Sequence, residues 1–324
     1  MTAAADVEQP PAQTPAPYDA PMRDALLVPE LAHGHARVGD VRLHYVECGR
    51  SDGPLVVLLH GFPEFWYSWR RQLPALAQAG FHVVAPDMRG YNLSDKPRKR
   101  RAYRAEQLGD DVAGLIGSFG VDSAFVVGHD WGGAAAYAVA MRHPRLVRRL
   151  VVLNMPHPAR MIAALRTVRQ LRKSWYVFLF QIPFLPERLL ARERFSFAKR
   201  SLRAGSPREA FSDEDLERYT EAWSQPGALT GMLNYYRAAA LRTPRRTLAR
   251  MLPIAAPTLV IWGERDRYIG NELAEPEARW VPDARVQRIP DASHWVQHEA
   301  PERVNELLVG FLREDARAQP ALGS

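Results

Sequence analysis

The sequence predicts an α/β fold, with a doubly wound, mostly parallel sheet and an inserted helical cap. Apolar strand-like runs alternate with helical patterns along most of the chain, and parallel strands need such crossover connections. The alternation stops between residues 156 and 250, where helical, Arg-rich and aromatic segments follow one another. The 324 residues exceed the usual length of one domain and leave room for an inserted unit.

The strands are predicted from short apolar runs and the helices from apolar residues at helical spacing. After a hairpin that ends near Val46, strands are expected at residues 55–59, 82–85, 124–127, 150–153, 258–262 and 285–289. Helices are expected at residues 69–79, 105–119, 133–142 and 301–313. Residues 31–155 and 251–317 are predicted to form the core, and residues 156–250 the cap. Because active sites of open α/β sheets lie beyond the carboxyl ends of the strands, the cap is expected to cover the site.

Composition argues against a metalloprotein, a secreted protein and a membrane-spanning protein. Cys48 is the single cysteine, and no Cys and His cluster has the spacing of a zinc site, so neither a structural metal nor a cofactor is expected. The first 21 residues lack the pattern of a secretory signal, which makes a cytoplasmic protein the expectation. Residues 1–30 are predicted to be a disordered Ala/Pro-rich tail and residues 318–324 a flexible one. No apolar run reaches the roughly 20 residues of a membrane-spanning helix.

The formal charge of +7 raises the question of an anionic partner. No nucleic-acid module accompanies the basic run at residues 96–101, so a solvated loop is preferred and no nucleic acid is expected. In the cap, residues 160–173 repeat apolar side chains at helical spacing with arginines between them. This pattern fits a membrane-interfacial helix or a surface helix packed on its own core, and the packed helix is preferred. A monomer and a homodimer both stay open.

Asp130 is the predicted nucleophile. It stands in the segment FVVGHDWGG, directly after a strand and before a helix, with Gly128 and Gly132 two residues away on either side. A strand-to-helix turn this sharp strains its central residue and needs small neighbours. A carboxylate exposed there can attack a saturated carbon and form an alkyl ester. The alternative is that Asp130 only caps the helix that follows.

Hydrolysis of such an ester needs a base, and His294, just beyond the last strand, is the predicted one. Asp266 ends the segment TLVIWGERD and is expected to hydrogen-bond the imidazole and stabilise its protonated form. Glu264 is a rival acid, but the alternating register of the strand points it elsewhere if Asp266 faces the site. His298 is interpreted as a satisfied surface histidine.

The segment HGFPE, residues 60–64, follows a strand at the position expected for an oxyanion hole. The backbone amides of Phe62 and Trp131 are the predicted donors to the charge that develops on Asp130. Pro63 has no amide hydrogen, and the peptide bond before it is a candidate for the cis form.

Together the segments HGFPE, DMRGYNLSDKP, GHDWGG, WGERD and SHW resemble the epoxide hydrolases of the α/β-hydrolase superfamily, over residues 36–315. The resemblance implies two cap tyrosines that hold the epoxide oxygen and protonate it as the ring opens. These map to Tyr176 in WYVFLFQ and Tyr236 in GMLNYYRA, with Tyr235 as an alternative for the second. The chemistry fits, because ring opening places negative charge on an oxygen that a phenol can stabilise. Core packing is the alternative role of these rings.

The predicted function is hydrolysis of a small, hydrophobic epoxide by water. The side chains expected to contact the substrate are those of His60, Pro63, Trp131 and Tyr235. A haloalkane dehalogenase would use the same aspartate, with Trp131 and Trp175 as halide donors, but Phe62 stands where those enzymes usually place Asn or Glu. A fluoroacetate dehalogenase would have Arg in place of Trp131. A binding protein without turnover is the third alternative, and the complete set of Asp130, Asp266 and His294 argues against it.

Overall fold

The structure, a computed structural model, describes residues 31–204, 206–241 and 243–318. The predicted tail at residues 1–30 and all but the first residue of the predicted tail at residues 318–324 lie outside the described residues. The described residues form eight strands, β1 (Ala32–Val38), β2 (Val41–Gly49), β3 (Leu55–Leu59), β4 (His82–Pro86), β5 (Ala124–His129), β6 (Val147–Leu153), β7 (Thr258–Gly263) and β8 (Ala284–Ile289).

The strands form one sheet in the order β1-β2-β4-β3-β5-β6-β7-β8. β2 runs antiparallel to both β1 and β4, and the remaining neighbours are parallel. Strands β3, β4, β5 and β7 are buried along their whole length, which explains the run of apolar residues at the centre of each. The predicted mostly parallel α/β sheet is confirmed.

The twelve α-helices are α1 (Leu73–Gln78), α2 (Ala105–Ser118), α3 (Trp131–Arg142), α4 (Pro158–Ala164), α5 (Val168–Lys173), α6 (Trp175–Leu179), α7 (Leu185–Arg203), α8 (Asp213–Trp223), α9 (Ala228–Ala239), α10 (Pro244–Leu248), α11 (Val296–Glu299) and α12 (Pro301–Ala318) within the described residues. Helices α1 and α12 pack together on one face of the sheet, and α2 and α3 pack together on the other. Helix α7 is interrupted by non-helical backbone at residues 192–195.

The helix predicted at residues 69–79 is shorter than expected. A 3₁₀ turn occupies Trp66–Trp69, and α1 begins only at Leu73. Pro74 stands in the first turn of α1, where its missing amide hydrogen is not needed, so the helix starts there rather than running through from residue 69.

Between β6 and β7 the described chain forms helices and connecting turns, from α4 to α10. The prediction of one packed helix over residues 160–173 is wrong. Helix α4 ends at Ala164, and Thr167 caps α5 by accepting the backbone N–H of Gln170 at 3.3 Å. Val168, expected on the buried face, is 65% exposed. No helix in the described residues is long and apolar enough to cross a bilayer.

Candidate active site

Asp130 occupies the sharp turn between β5 and α3. Its backbone angles, φ 50° and ψ −122°, lie in a region that residues other than glycine rarely adopt, as predicted for this turn. A Cβ atom on Gly128 would stand 2.3 Å from the carbonyl oxygen of Gly132, and one on Gly132 would stand 2.1 Å from that of Leu59. Both glycines are therefore required for the turn to pass so close to β3.

The carboxylate of Asp130 turns away from the helix that it precedes. It makes no capping hydrogen bond to α3, and its Oδ1 instead accepts the backbone N–H of Phe62 at 2.8 Å. A Cβ atom on Gly61 would stand 2.5 Å from that Oδ1, so the loop approaches the carboxylate through a glycine. The Phe62–Pro63 peptide bond is cis. The hydrogen bond from Phe62 thus fixes Oδ1, and Oδ2 points toward His294.

His294 lies between the two aspartates. Its Nδ1 is 2.8 Å from Asp266 Oδ2, and its Nε2 is 3.6 Å from Asp130 Oδ2. The carboxylate of Asp266 accepts the proton of Nδ1, which leaves Nε2 to face Asp130. The structure thus brings Asp130, His294 and Asp266 together in the order expected from the sequence.

Asp266 is held as a carboxylate by several donors. Its Oδ1 accepts the backbone N–H groups of Tyr268 and Ile269 at 2.7 and 2.9 Å, and its Oδ2 accepts the side-chain amide of Asn154 at 2.8 Å. Burial alone would raise the pKa of Asp266, but the charge of His294 and these hydrogen bonds outweigh it and lower the pKa.

The rival acid, Glu264, pairs with Arg288 instead, at 3.1 Å. Asn154 was missed in the sequence. It directly follows the buried strand β6, and a polar residue at the carboxyl end of such a strand is the signal that could have identified it.

The two aspartates also set the charge of His294. Burial lowers the pKa of its imidazole, but the charge of Asp266 and hydrogen bonding to Asp130 and Asp266 outweigh burial and raise the pKa to about 10. At neutral pH the ring is therefore an imidazolium as long as Asp130 carries no ester. This state suits a nucleophile that is ready to attack and a base that is not yet needed.

A cavity of about 420 Å³ lies between the sheet and the cap. From the core, its wall includes Asp130, His294 and Phe62, and from the cap it includes Tyr176 and Tyr236. Most of the remaining wall is apolar, with Pro63, Phe180, Leu190 and Trp295 among its members. The cavity has the size of a small-molecule site and places one carboxylate in apolar surroundings. Among the described residues, no group of three or more His, Cys, Asp or Glu side chains is arranged to hold a metal ion.

Tyr176 on α6 and Tyr236 on α9 meet above Asp130. Their ring centroids are 5.9 Å apart, and the Tyr236 ring also lies 5.1 Å from that of Trp131. Burial raises the pKa of both phenols well above the ordinary value, and the negative charge of Asp130 adds to the effect. Both phenols thus keep their protons and can act as hydrogen-bond donors inside the cavity.

Three of the residues predicted to contact the substrate are not among those that line the cavity. His60 is buried, and its Nε2 accepts the backbone N–H of Met88 at 3.0 Å. The hydroxyl of Tyr235 donates to the carbonyl of Arg89 at 2.8 Å, and the ring of Trp131 packs beside Tyr236. Pro63, by contrast, forms part of the cavity wall. Of the two adjacent tyrosines, Tyr236 is the one that faces the cavity.

Beneath the cavity floor lies a buried polar cluster that sequence reasoning missed. Glu64 is completely buried, and its carboxylate accepts from Tyr219 and Gln297 at 2.9 and 3.1 Å and lies 2.6 Å from His298 Nε2. Burial alone would raise the pKa of Glu64, but His298 and His129 outweigh it and lower the pKa. His298 is therefore not the surface histidine that was expected, because it is 2% exposed.

His129, the residue before Asp130, connects this cluster to the site. Its Nδ1 lies 3.1 Å from Glu64 Oε2 and its Nε2 lies 2.8 Å from the backbone oxygen of His294. These two contacts of His129 join the loops that carry Phe62, Asp130 and His294.

Helix α8 fixes part of the cap to the core. Tyr219 on α8 reaches Glu64, and Asp215 accepts the hydroxyl of Tyr67 at 2.8 Å. Arg70, from the core, pairs with Asp215 at 3.1 Å and is buried with it. These contacts fix the position of α8 against the loop that follows β3.

Comparison with known proteins places the chain in a family. Residues 54–301 match the model of the alpha/beta hydrolase fold family. The chain is 43% identical over 279 residues to the AB hydrolase superfamily protein YfhM of Bacillus subtilis (strain 168), covering 84% of this chain and 95% of that protein. It is 39% identical over 294 residues to epoxide hydrolase 4 of Homo sapiens, covering 88% of this chain and 80% of that protein.

Among solved structures, a mutant epoxide hydrolase from Bacillus megaterium, complexed with its product, a naphthyloxy-propane-1,2-diol, superposes with a TM-score of 0.79 at 32% identity. The superposition covers 86% of this chain and all of that one. The fold, the arrangement around Asp130 and these similarities agree with one another. The chain belongs to the alpha/beta hydrolase family, within the group that contains these epoxide hydrolases.

Proposed function

We propose that this protein hydrolyses a hydrophobic epoxide to a vicinal diol through a covalent ester on Asp130. The observation that carries the proposal is the pair of protonated phenols, Tyr176 and Tyr236, which share a cavity with the carboxylate of Asp130. A nucleophile on one side of the cavity and two hydrogen-bond donors on the other match an epoxide. When its ring opens, the leaving oxygen stays attached to the substrate and becomes negatively charged. A halide leaves as a stable anion and has no need of two phenols, whereas an alkoxide needs a proton or a strong hydrogen bond.

In the first step, Oδ2 of Asp130 attacks one epoxide carbon. A carbon–oxygen bond forms to Asp130, the ring carbon–oxygen bond breaks, and a phenolic proton from Tyr176 or Tyr236 passes to the ring oxygen. We assign the attack to Oδ2 because Oδ1 is already held by the backbone N–H of Phe62. Oδ1 then becomes the carbonyl oxygen of the ester.

In the second step, water attacks the ester carbonyl while His294 Nε2 accepts its proton and Asp266 stabilises the imidazolium. The negative charge of the tetrahedral intermediate develops on Oδ1, where the backbone N–H of Phe62 donates. Collapse of this intermediate releases the diol and restores the carboxylate of Asp130. Because His294 begins the cycle as an imidazolium, its Nε2 proton passes to the phenolate once the ester has formed, which frees Nε2 for the second step. The proton taken from water then restores the imidazolium, and the proton left on the attacking oxygen passes to the departing alkoxide, so protons balance over the cycle.

The wall of the cavity indicates the substrate class. Phe62, Phe180, Leu190 and Trp295 offer apolar surface, which favours an epoxide with an aryl or alkyl substituent. The Bacillus megaterium relative was crystallised with a diol product that carries a naphthyloxy group. The proposal extends this preference for a bulky apolar substituent to the present protein.

The function is tested by incubating the protein with styrene oxide and measuring diol, and in parallel with a bromoalkane and measuring halide. We expect diol and little halide. Asp130→Ala should abolish diol formation without changing the fold, and Asp291→Ala, which removes an exposed carboxylate, is the matched control. Halide release without diol would favour a dehalogenase, and substrate binding without either product would favour a binding protein.

The covalent path is tested by one turnover in water enriched in ¹⁸O, with enzyme in excess over epoxide. Because the second step attacks the carbonyl of the enzyme, the label should enter the peptide that contains Asp130 and the diol should be unlabelled. Direct attack of water on the epoxide would place the label in the diol, and that result would overturn the proposed mechanism.

A further inference from the structure

Exposed apolar side chains concentrate on one part of the cap. We call the exposed surface of residues 160–203 the cap face. Eleven large hydrophobic side chains are exposed in the described residues, at 39% to 74%, and nine of them lie between residues 165 and 197. They include Val168, Trp175, Phe178, Ile182, Phe184 and Phe197. Such a concentration marks a surface that meets an apolar partner.

The same segment carries the positive charge of the molecule. Residues 160–203 contain eleven Lys or Arg and two Asp or Glu, a net charge of +9, whereas the whole chain has +7. The remainder of the protein is therefore slightly acidic. Within the described part of the chain, Arg166, Arg172, Arg188 and Arg200 form no ion pair and are exposed. Exposed apolar and cationic side chains thus occur together in the segment that forms the cap face.

The cavity opens on this face. Trp175, Arg172 and Phe197 are exposed and also line the cavity, so they stand at its mouth. From there the cavity leads inward past Tyr176 to Asp130. A partner that covers the cap face would therefore also cover the entrance to the site.

We propose that the cap face docks on an anionic lipid bilayer, with the mouth of the cavity against the membrane. A bilayer offers hydrocarbon for Phe178 and Phe184 and, directly beside it, negative headgroups for the arginines. Pairing of two cap faces would bring two strongly positive surfaces together, which opposes a second copy of this chain as the partner. Docking rests on this surface alone, and delivery of bilayer-dissolved epoxides to Asp130 rests on the proposed function.

The test is flotation of the full chain with vesicles of phosphatidylcholine, with or without phosphatidylglycerol. We expect the protein to float with the mixed vesicles at low salt and to be largely released at high salt, because screening weakens the contact with the headgroups. Flotation with pure phosphatidylcholine should be much weaker. A protein that stays unbound to mixed vesicles at low salt would overturn the proposal.

Two sets of variants locate the surface. Phe178→Ser with Phe184→Ser should reduce partitioning roughly tenfold or more, because two apolar anchors are lost. Leu241→Ser with Leu252→Ser, which changes exposed leucines elsewhere, should leave it unchanged. The charge variant is Arg166→Glu, Arg188→Glu and Arg200→Glu, and its control with the same net charge is Arg98→Glu, Arg100→Glu and Arg101→Glu. Binding that falls equally in test and control variants would overturn the assignment to the cap face.

Sedimentation over a range of protein concentrations completes the test. Dimers that form without lipid and are lost in the Phe178 and Phe184 variant would overturn the lipid proposal in favour of a second copy. Flotation requires no turnover, so its outcome is separate from that of the diol assay. Docking without diol formation would overturn the proposed function alone, and diol formation without docking would overturn the proposed surface alone.

Discussion

Replacing Asp130 with Asn retains the shape of the side chain and removes its negative charge, as ester formation would. His294 Nε2 lies 3.6 Å from Asp130 Oδ2. A pair of unit charges at that separation interacts by about 4 to 5 kcal/mol at an effective dielectric constant of about 20. Because about 1.4 kcal/mol corresponds to one pH unit, we expect Asp130→Asn to lower the pKa of His294 by roughly three pH units.

The direction of this change connects the two chemical steps. With the carboxylate of Asp130 present, the pKa of His294 is raised to about 10, so the ring carries a proton at neutral pH. Neutralising the aspartate removes the partner that favours the protonated ring, and His294 becomes able to accept a proton near neutral pH. Ester formation would thus switch on the base that destroys the ester.

The assay is an NMR pH titration of protein with ¹⁵N-labelled imidazoles, in wild type and Asp130→Asn, with the resonance assigned through His294→Gln. Asp291→Asn is the control, because it removes an exposed carboxylate that pairs with Arg265 and lies only three residues from His294. The same pKa of His294 in wild type and Asp130→Asn would refute the reasoning. So would a wild-type His294 that titrates at its ordinary value of 6.5.

Three further predictions concern the phenols, the base and the buried cluster. Tyr176→Phe and Tyr236→Phe should each slow ester formation on the order of 10²-fold, and together should nearly abolish it, with far less effect on ester decay, as measured by rapid-quench kinetics. Ester formation at the wild-type rate in the double variant would make both rings packing residues. His294→Gln should form the ester and stall, which intact-protein mass spectrometry detects as added substrate mass; no adduct with substrate bound would contradict the assigned role. Glu64→Gln should lower the free energy of unfolding by about 3 to 5 kcal/mol in urea titrations, because an amide cannot accept from all the buried groups that surround this carboxylate. The folded pKa of Glu64 lies below its ordinary value of 4.5, so this difference should be complete above pH 4.5 and shrink as the pH falls further; equal midpoints at neutral pH would contradict it.

The strands could be predicted to within a few residues because a parallel strand covered on both faces must be apolar throughout. The run at residues 55–59 matches β3 at both ends, and the one at residues 124–127 stops two residues before the end of β5. Those two residues, Gly128 and His129, are not apolar, so the local pattern ends before the hydrogen bonding does. The break inside residues 160–173 was missed because the side chain of Thr167 competes for the backbone there, and periodicity does not register such a cap.

The set of Asp130, His294 and Asp266 could be recognised from the sequence because each residue stands at the end of a strand or just beyond one. The cluster around Glu64 could not, because its histidines, His129 and His298, are 65 and 234 residues away from it. Their partnership exists only after the sheet has brought three loops together. The orientation of Tyr235 was open for the same reason, since the carbonyl that fixes it belongs to Arg89 in a distant loop.

The attachment of helix α8 has a consequence for how the site opens. Tyr219 and Asp215 bind buried partners in the core, and the indole of Trp223 donates to the carbonyl of Pro63 beside the nucleophile. Hydrogen exchange along α8 should therefore be as slow as in the sheet, since its amides are released only when the core contacts break. The cavity entrance should therefore open through motion of its opposite rim, around Trp175 and Phe197. Helix α8 would then act as the pivot of cap motion, and substrate and product would pass on the side of the cap away from α8.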